Sequence, residues 1–365
     1  MCPVMPERLA LTDPYKQVTE MVGSGPFRFL ADEHVSGSHV AYAKFNAYAP
    51  RPDGVPEWTS GPTIVHFDRV EWHVIPDVSV AAAAMQRGEM DWWERLDFDH
   101  LSMMSHDPKL QVFVLDPSGT CAFLRMNTLQ PPFDNPAVRR ALLGAVDQSE
   151  FMAAVVGDIL AAARNDLGFF PQGSPMASEV GMATLTSPRD LDRVKRELKT
   201  AGYAGERIVV LIASDFPTLA ALGYVGADML RRCGMNVDQQ TTDWGSIIQR
   251  RSSKAPVDQG GCSVFFSTFI GLDMANPAGT QALRGNGAGS WPGWLVAPKM
   301  EALRDRWLEA PDEAARKAIG RELQAQAFAD VPFLPLGQYF QSTVQRRNLT
   351  GTLRGVPLFW NVRRA

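Results

Sequence analysis

The sequence predicts an α/β architecture with mixed β-sheets flanked by helices. Three observations carry that reading. The first ~115 residues are rich in strand patterns, a βαβ unit follows at 207–242, and several capped helices with one apolar stripe alternate with strands. At 365 residues the chain is long enough for two or more packed lobes.

Early strands come first. Gly23-Ser24-Gly25-Pro26 is a turn running into an alternating strand through Phe29, and Val40–Tyr48 alternates in the same way. Phe67–Ile75 sets Val70, Trp72 and Val74 on one face. Asp77 then caps a helix over Val78–Arg87 that Gly88 closes, and Met90–Trp93 resumes an extended run. Asp116-Pro117-Ser118-Gly119 marks a loop.

Beyond it Cys121–Thr128 reads as a strand. Asn135 caps a helix that has Pro136 at its first position and Val138, Ala141, Leu142, Ala145 and Val146 as its stripe. Ser187-Pro188 opens another, striped by Leu191, Val194, Leu198 and Ala201. Arg207–Ala213, a helix over Thr218–Cys233 and Asn236–Thr242 form a crossover, which implies parallel pairing. Gly261–Phe269 is a further strand entering a loop. Two helices follow, the second capped by Asp312, and then a proline-containing strand Val331–Tyr339 and an extended tail over Pro357–Val362.

Composition narrows the function. Apolar residues make up 45% and charged residues 21%, which excludes disordered and fibrous classes. The net charge of −4, with no basic block longer than two residues, argues against a nucleic-acid partner. No apolar run reaches the ~20 residues that span a bilayer. Met1–Pro6 carries no export-signal pattern, so either the protein is cytoplasmic or such a signal lies in removed upstream sequence. Cys2, Cys121, Cys233 and Cys262 are far apart and are expected as buried thiols, with one Cys233–Cys262 bridge as the alternative.

The order of these signals resembles the family 5 solute-binding proteins that serve bacterial ABC importers for peptides, nickel chelates and related solutes. Gly23–Phe27 is similar to the family's G-[ST]-G-P-[FY] strand entry, and Phe67–Trp92 to its V-I-P-D…x-G-E-x-D unit. Most specific is Arg125–Leu142 with Val146-Asp147, which resembles F-N-T…P-P-F-D-N…V-R-x-A-L…A-I-D. Asp330–Leu336 is similar to the family's closing A-x-x-x-P-x-x-P-L.

The resemblance implies a class II periplasmic binding protein-like fold of two lobes, with the N-terminal part of the first lobe and the small domain missing. It puts 1–115 plus 345–365 in that incomplete lobe and 116–344 in the C-terminal lobe. The hinge would be two crossings near Ser118–Cys121 and Gln341–Arg347. It implies a periplasmic or extracytoplasmic monomer without cofactor. Such a protein holds a peptide or similar amine-bearing solute in an interlobe cleft and meets permease subunits, touching the membrane complex only peripherally.

Asp273 is the sharpest candidate, because family peptide binders place an aspartate four residues before a proline to hold the solute's α-ammonium, and Pro277 stands at that spacing. Phe269 stands where tryptophan is common in the family. Phe123 and Arg125 share a strand face with Asn127 by period-two alternation, and Arg125 is a candidate partner for a solute anion. Asn127 is expected to fix the Pro131–Asn135 loop, and Trp294, with Trp291, to supply pocket wall or packing.

Catalytic patterns are weak: Glu89, Asp91 and Glu94 fall on a structural motif, and no nucleophile elbow, Walker loop or dinucleotide fingerprint exists. No metal site is expected. His34 and His39 sit in a loop without a third ligand, and His66 and His73 face opposite sides of a strand. A binder, not an enzyme, is the expectation. A sensor lobe reporting to a receptor, or a hydrolase with an unrecognised site, is the alternative.

Overall fold

The computed structural model describes residues 4–12, 18 and 20–365; Cys2 lies outside them. In chain order the strands are β1 (Phe27–Phe29), β2 (His39–Lys44), β3 (Arg69–His73), β4 (Trp92–Trp93), β5 (Leu110–Val114), β6 (Thr120–Met126), β7 (Ala163–Arg164), β8 (Arg207–Ala213), β9 (Asn236–Thr242), β10 (Val264–Ile270), β11 (Phe333–Tyr339), β12 (Ser342–Arg346), β13 (Leu349–Thr350) and β14 (Arg363–Arg364). The helices are α1 (Glu7–Ala10), α2 (Val78–Arg87), α3 (Leu101–His106), α4 (Pro136–Leu143), α5 (Gln148–Val156), α6 (Ala183–Thr186), α7 (Leu191–Thr200), α8 (Pro217–Arg232), α9 (Trp244–Arg251), α10 (Pro298–Glu309) and α11 (Glu313–Asp330).

The chain divides into two compact units. One is Met1–Pro117 with Gln341–Ala365, the other Ser118–Phe340. In the first, β1, β2 and β3 form an antiparallel sheet. A second sheet, β4-β12-β5, draws β12 from the far end of the chain, Thr343 lying opposite Phe113. Helix α2 starts where the sequence places it. The Asp77 carboxylate accepts from the Ser79 and Val80 amides at 2.8 and 3.0 Å, and Gly88 at φ 87° closes the helix. Its Ala82 and Met85 pack with Leu96, Met104, Leu110 and Val344 in a small core.

The second unit is built on one six-stranded sheet of order β7-β11-β6-β10-β8-β9. Strands β8 and β9 are parallel around α8, as the crossover requires, whereas β6 runs antiparallel to both β10 and β11. Helix α8 approaches the sheet through Gly226, where a Cβ would stand 2.3 Å from the Phe266 ring. Glycine is needed there for contact.

Some sequence expectations are corrected. The Ser187-Pro188 helix start moves to Leu191, because the Asp190 carboxylate accepts from the Arg193 amide and caps the helix at that point. Cys233 and Cys262 are the free thiols expected, and the alternative bridge between them is not formed. Both thiols are buried, and burial pushes each up to about 11, leaving them unreactive.

Candidate solute-binding site

The site residues named from sequence all belong to the second unit, on or beside one face of its sheet. Register sets them. Phe265 of β10 lies opposite Arg125 of β6, and Phe333 of β11 flanks Arg125 on the other side. Phe123 is two residues along, so its ring meets those of Phe269 and Phe333 at 5.3 and 5.1 Å. Trp291 lies across this aromatic layer, 5.4 Å from both Phe265 and Phe269 and 5.9 Å from Phe123.

Arg125 is a correction to the sequence reading. It is fully buried, and its guanidinium donates to the carbonyls of Pro292 (2.9 Å), Ala282 and Pro332 (both 2.8 Å) and Trp291 (3.3 Å). Those four acceptors come from two distant loops, so Arg125 ties the 282–293 segment and the entry to β11 onto the sheet. Fully buried, with Nε, Nη1 and Nη2 all donating to backbone carbonyls, the guanidinium is not presented to a solute anion. Burial pushes the guanidinium down to about 9, with the nearby Arg139 charge adding to the shift, yet it stays protonated at neutral pH. Gly293, at φ 114°, passes so close that a Cβ would stand 2.3 Å from Arg125 Nε.

Phe123, within the aromatic layer, and Trp294 are buried as well. Phe269 is different: it is half-buried at the end of β10, where the strand turns into the loop carrying Asp273. In that loop the Asp273 amide donates to the Ile270 carbonyl at 3.0 Å, and the Asp273 carbonyl accepts from Thr280 Oγ1 at 3.1 Å. The backbone is therefore fixed at both sides, while the half-buried carboxylate has no hydrogen-bond or ion-pair partner among the described residues. Asn127 bonds the Cys262 carbonyl and receives the Leu129 amide, both at 3.0 Å, and so holds the start of the 128–135 loop.

Sequence reasoning missed Arg251, at the C-terminal end of α9. Its guanidinium lies 4.9 Å from the Trp291 ring, 5.3 Å from Trp244 and 5.6 Å from Phe265, with Nε and Nη1 buried and without hydrogen-bond partners. Burial pushes it down to about 10. Trp244 opens the same helix and shares a face with Arg251, but only the fold brings Trp291 and Phe265 to it, and no local spacing encodes those two.

The first unit holds a cavity of its own, about 370 Å³, lined among others by Arg69, Trp72, Met90, Trp92, Glu94 and Phe359. None of the sequence-named ligand residues borders it. No helix among the described residues is long and apolar enough to cross a membrane.

A mixed-sheet α/β fold with these units is that of a class II periplasmic binding protein, and comparison with known proteins supports the assignment. DppA from Helicobacter pylori, solved with the peptide STSA, superposes with a TM-score of 0.73 at 20% identity, covering 94% of this chain and 63% of that one. The probable peptide ABC transporter periplasmic-binding protein y4tO of Sinorhizobium fredii is 34% identical over 365 residues, covering 99% of this chain and 68% of the relative. The glutathione-binding protein GsiB of Pectobacterium atrosepticum is 24% identical over 357 residues, covering 95% and 65%. The family model described as bacterial extracellular solute-binding proteins, family 5 Middle, matches residues 3–290. The chain belongs to that family, whose members are transport binding proteins and not enzymes. It spans about two thirds of the length of these relatives.

Proposed function

We propose that this chain is the solute-binding part of a bacterial ABC importer, that it works outside the cytoplasmic membrane, and that its solutes are peptides or similar amine-bearing molecules. The observation that carries the proposal is the Asp273 carboxylate: half-buried, held on a fixed loop and left without a partner. A carboxylate kept partly out of water gains most from a cationic amine that brings a charge-assisted hydrogen bond. Phe269, half-buried at the same end of β10, provides an apolar neighbour that accepts varied side chains without reading them. The names of the relatives point the same way: one is a probable peptide transporter component, another binds glutathione, and a solved neighbour holds a peptide. Solute binding then shifts the population towards a form that the importer's permease subunits recognise.

The test is calorimetry on the full-length protein with trialanine and with its N-acetylated form. Trialanine is expected to bind at least about tenfold more tightly than the acetylated peptide, and Asp273→Asn to erase that difference, the size expected for one charge-assisted contact. Equal affinity for both peptides, or undiminished trialanine binding by Asp273→Asn, removes Asp273 from the site. Permease and ATPase genes beside the coding sequence support the importer role, and their absence favours a sensor.

A further inference from the structure

We propose a divalent transition-metal site on the first unit, formed by His39, Glu71 and His73. The sequence reading left His39 in a loop and His73 on a strand with no shared ligand set; the structure brings them together. The turn from Val35 to Ser38, with Gly37 at φ 72°, delivers His39 as the first residue of β2, directly opposite His73 of β3. Glu71 is two residues before His73 and therefore on the same face. One ligand atom from each side chain lies within 4.8 Å of the others. A single ion fits among them after small side-chain rotations, which bring each atom to the roughly 2.0–2.2 Å of zinc–nitrogen and zinc–oxygen bonds.

The surroundings favour ligation. His39 Nδ1 is 3.1 Å from the Glu33 carbonyl, which only accepts, so Nδ1 carries the proton and Nε2 presents its lone pair. That Nε2 is 3.9 Å from Glu71 Oε2, and His73 Nε2 is 3.1 Å from the same oxygen. Glu71 is divided between two partners: Oε1 takes the Arg69 guanidinium, leaving Oε2 to the imidazoles. The two rings lie 4.8 Å apart at 40°.

Two imidazoles and one carboxylate suit zinc, nickel or copper and disfavour magnesium or calcium. With three protein ligands, the remaining position goes to water or to a donor from outside the chain. Glu71 and His73 also line the cavity of the first unit, so a ligand there has room to reach the ion. Binding replaces the His73–Glu71 hydrogen bond and requires the imidazole to turn its Nε2 lone pair to the metal, with the proton on Nδ1.

The experiment is titration of untagged, metal-free protein with ZnCl2 at pH 7.5, followed by calorimetry. One zinc per chain is expected, with roughly micromolar affinity because the site is partly exposed and Arg69 stands beside it. His39→Ala and His73→Ala are each expected to weaken binding at least about tenfold, and the double variant to abolish it. Copper(II) on the unaltered protein should give an electron paramagnetic resonance spectrum with hyperfine coupling to two nitrogens, a readout independent of how any variant folds. No saturable zinc binding, zinc binding unchanged in both histidine variants, or a copper spectrum with fewer than two coupled nitrogens would overturn the proposal.

Discussion

The two units solve the same problem, covering a β-sheet, in different ways. In the second unit β6, β8 and β10 are buried along most of their length, and they read in the sequence as near-continuous apolar runs. In the first unit β3 is almost wholly exposed or half-exposed, with Trp72 at 37% and Val74 just beyond it at 53%. Its apolar core is a cluster around Met85, Leu96, Met104, Leu110 and Val344 beneath the other sheet. A sheet covered on both faces can shelter a buried cation and make it structural, as at Arg125. A sheet with a wet face keeps its polar side chains available to ligands, as at His39 and His73.

The largest expected effect tests the first half of that contrast. Arg125→Ala strips the donors from the Pro292, Ala282, Pro332 and Trp291 carbonyls and leaves a cavity. The loss should be about 3 kcal/mol or more in urea unfolding, with faster hydrogen exchange in β6, β10 and β11. Weaker peptide binding with unchanged stability would instead make Arg125 a solute contact. Met85→Ala is expected to cost about 2 kcal/mol or more and to speed exchange in α2, β5 and β12 while leaving β6, β8 and β10 protected. Equal loss of protection in both sets would show that the contrast between the units is not energetic.

Much of this was legible because much of it is local. Asp77, Asn135 and Asp312 each cap the helix that follows them, since a short acceptor side chain satisfies an amide two or three residues on. The 207–242 crossover was legible from its two strand runs and the helix between them. What was illegible is remote. Strand β12 pairs with β5 across more than two hundred residues, and its sequence, Ser342–Arg346, carries no trace of that partner. Alternation put Phe123 and Arg125 on one face but said nothing of what covers it, because the cover is the 282–293 segment. His39 and His73 escaped for the same reason: cross-strand register is set by turns and pairing, not by spacing within either strand.

Arg251 sharpens the contrast at intermediate size. Its Nε and Nη1 are buried beside Trp291 and Trp244 without acceptors, so the cation is costly where it stands. Arg251→Met keeps a long apolar stem against the rings and removes the charge. Stability is expected to hold or to rise by up to about 1 kcal/mol. A clear loss of stability would make the cation–π contacts dominant and Arg251 a second structural arginine like Arg125. Unchanged stability with weaker binding of peptides that bear a free carboxylate, and undiminished binding of amidated ones, would place it at the solute.

The smallest expected effect lies in the first unit's cavity. Burial pushes the Glu94 carboxyl up, against a smaller opposing pull from Arg95, and the side chain is 30% exposed. A carboxyl raised on folding favours the folded state only while protonated. Its contribution is therefore full below the unfolded carboxyl range and is lost as pH rises through the higher folded value. At neutral pH the ionised Glu94 is thus a burden, and Glu94→Gln should raise stability at pH 7 by less than about 1 kcal/mol. At pH 3, where the native carboxyl is neutral too, the two proteins should unfold alike. Thermal unfolding at both pH values checks this. A variant less stable than the native chain at pH 7 would mean that the anion itself is held, making the cavity a charged binding surface and not simply a wet gap beside an open sheet.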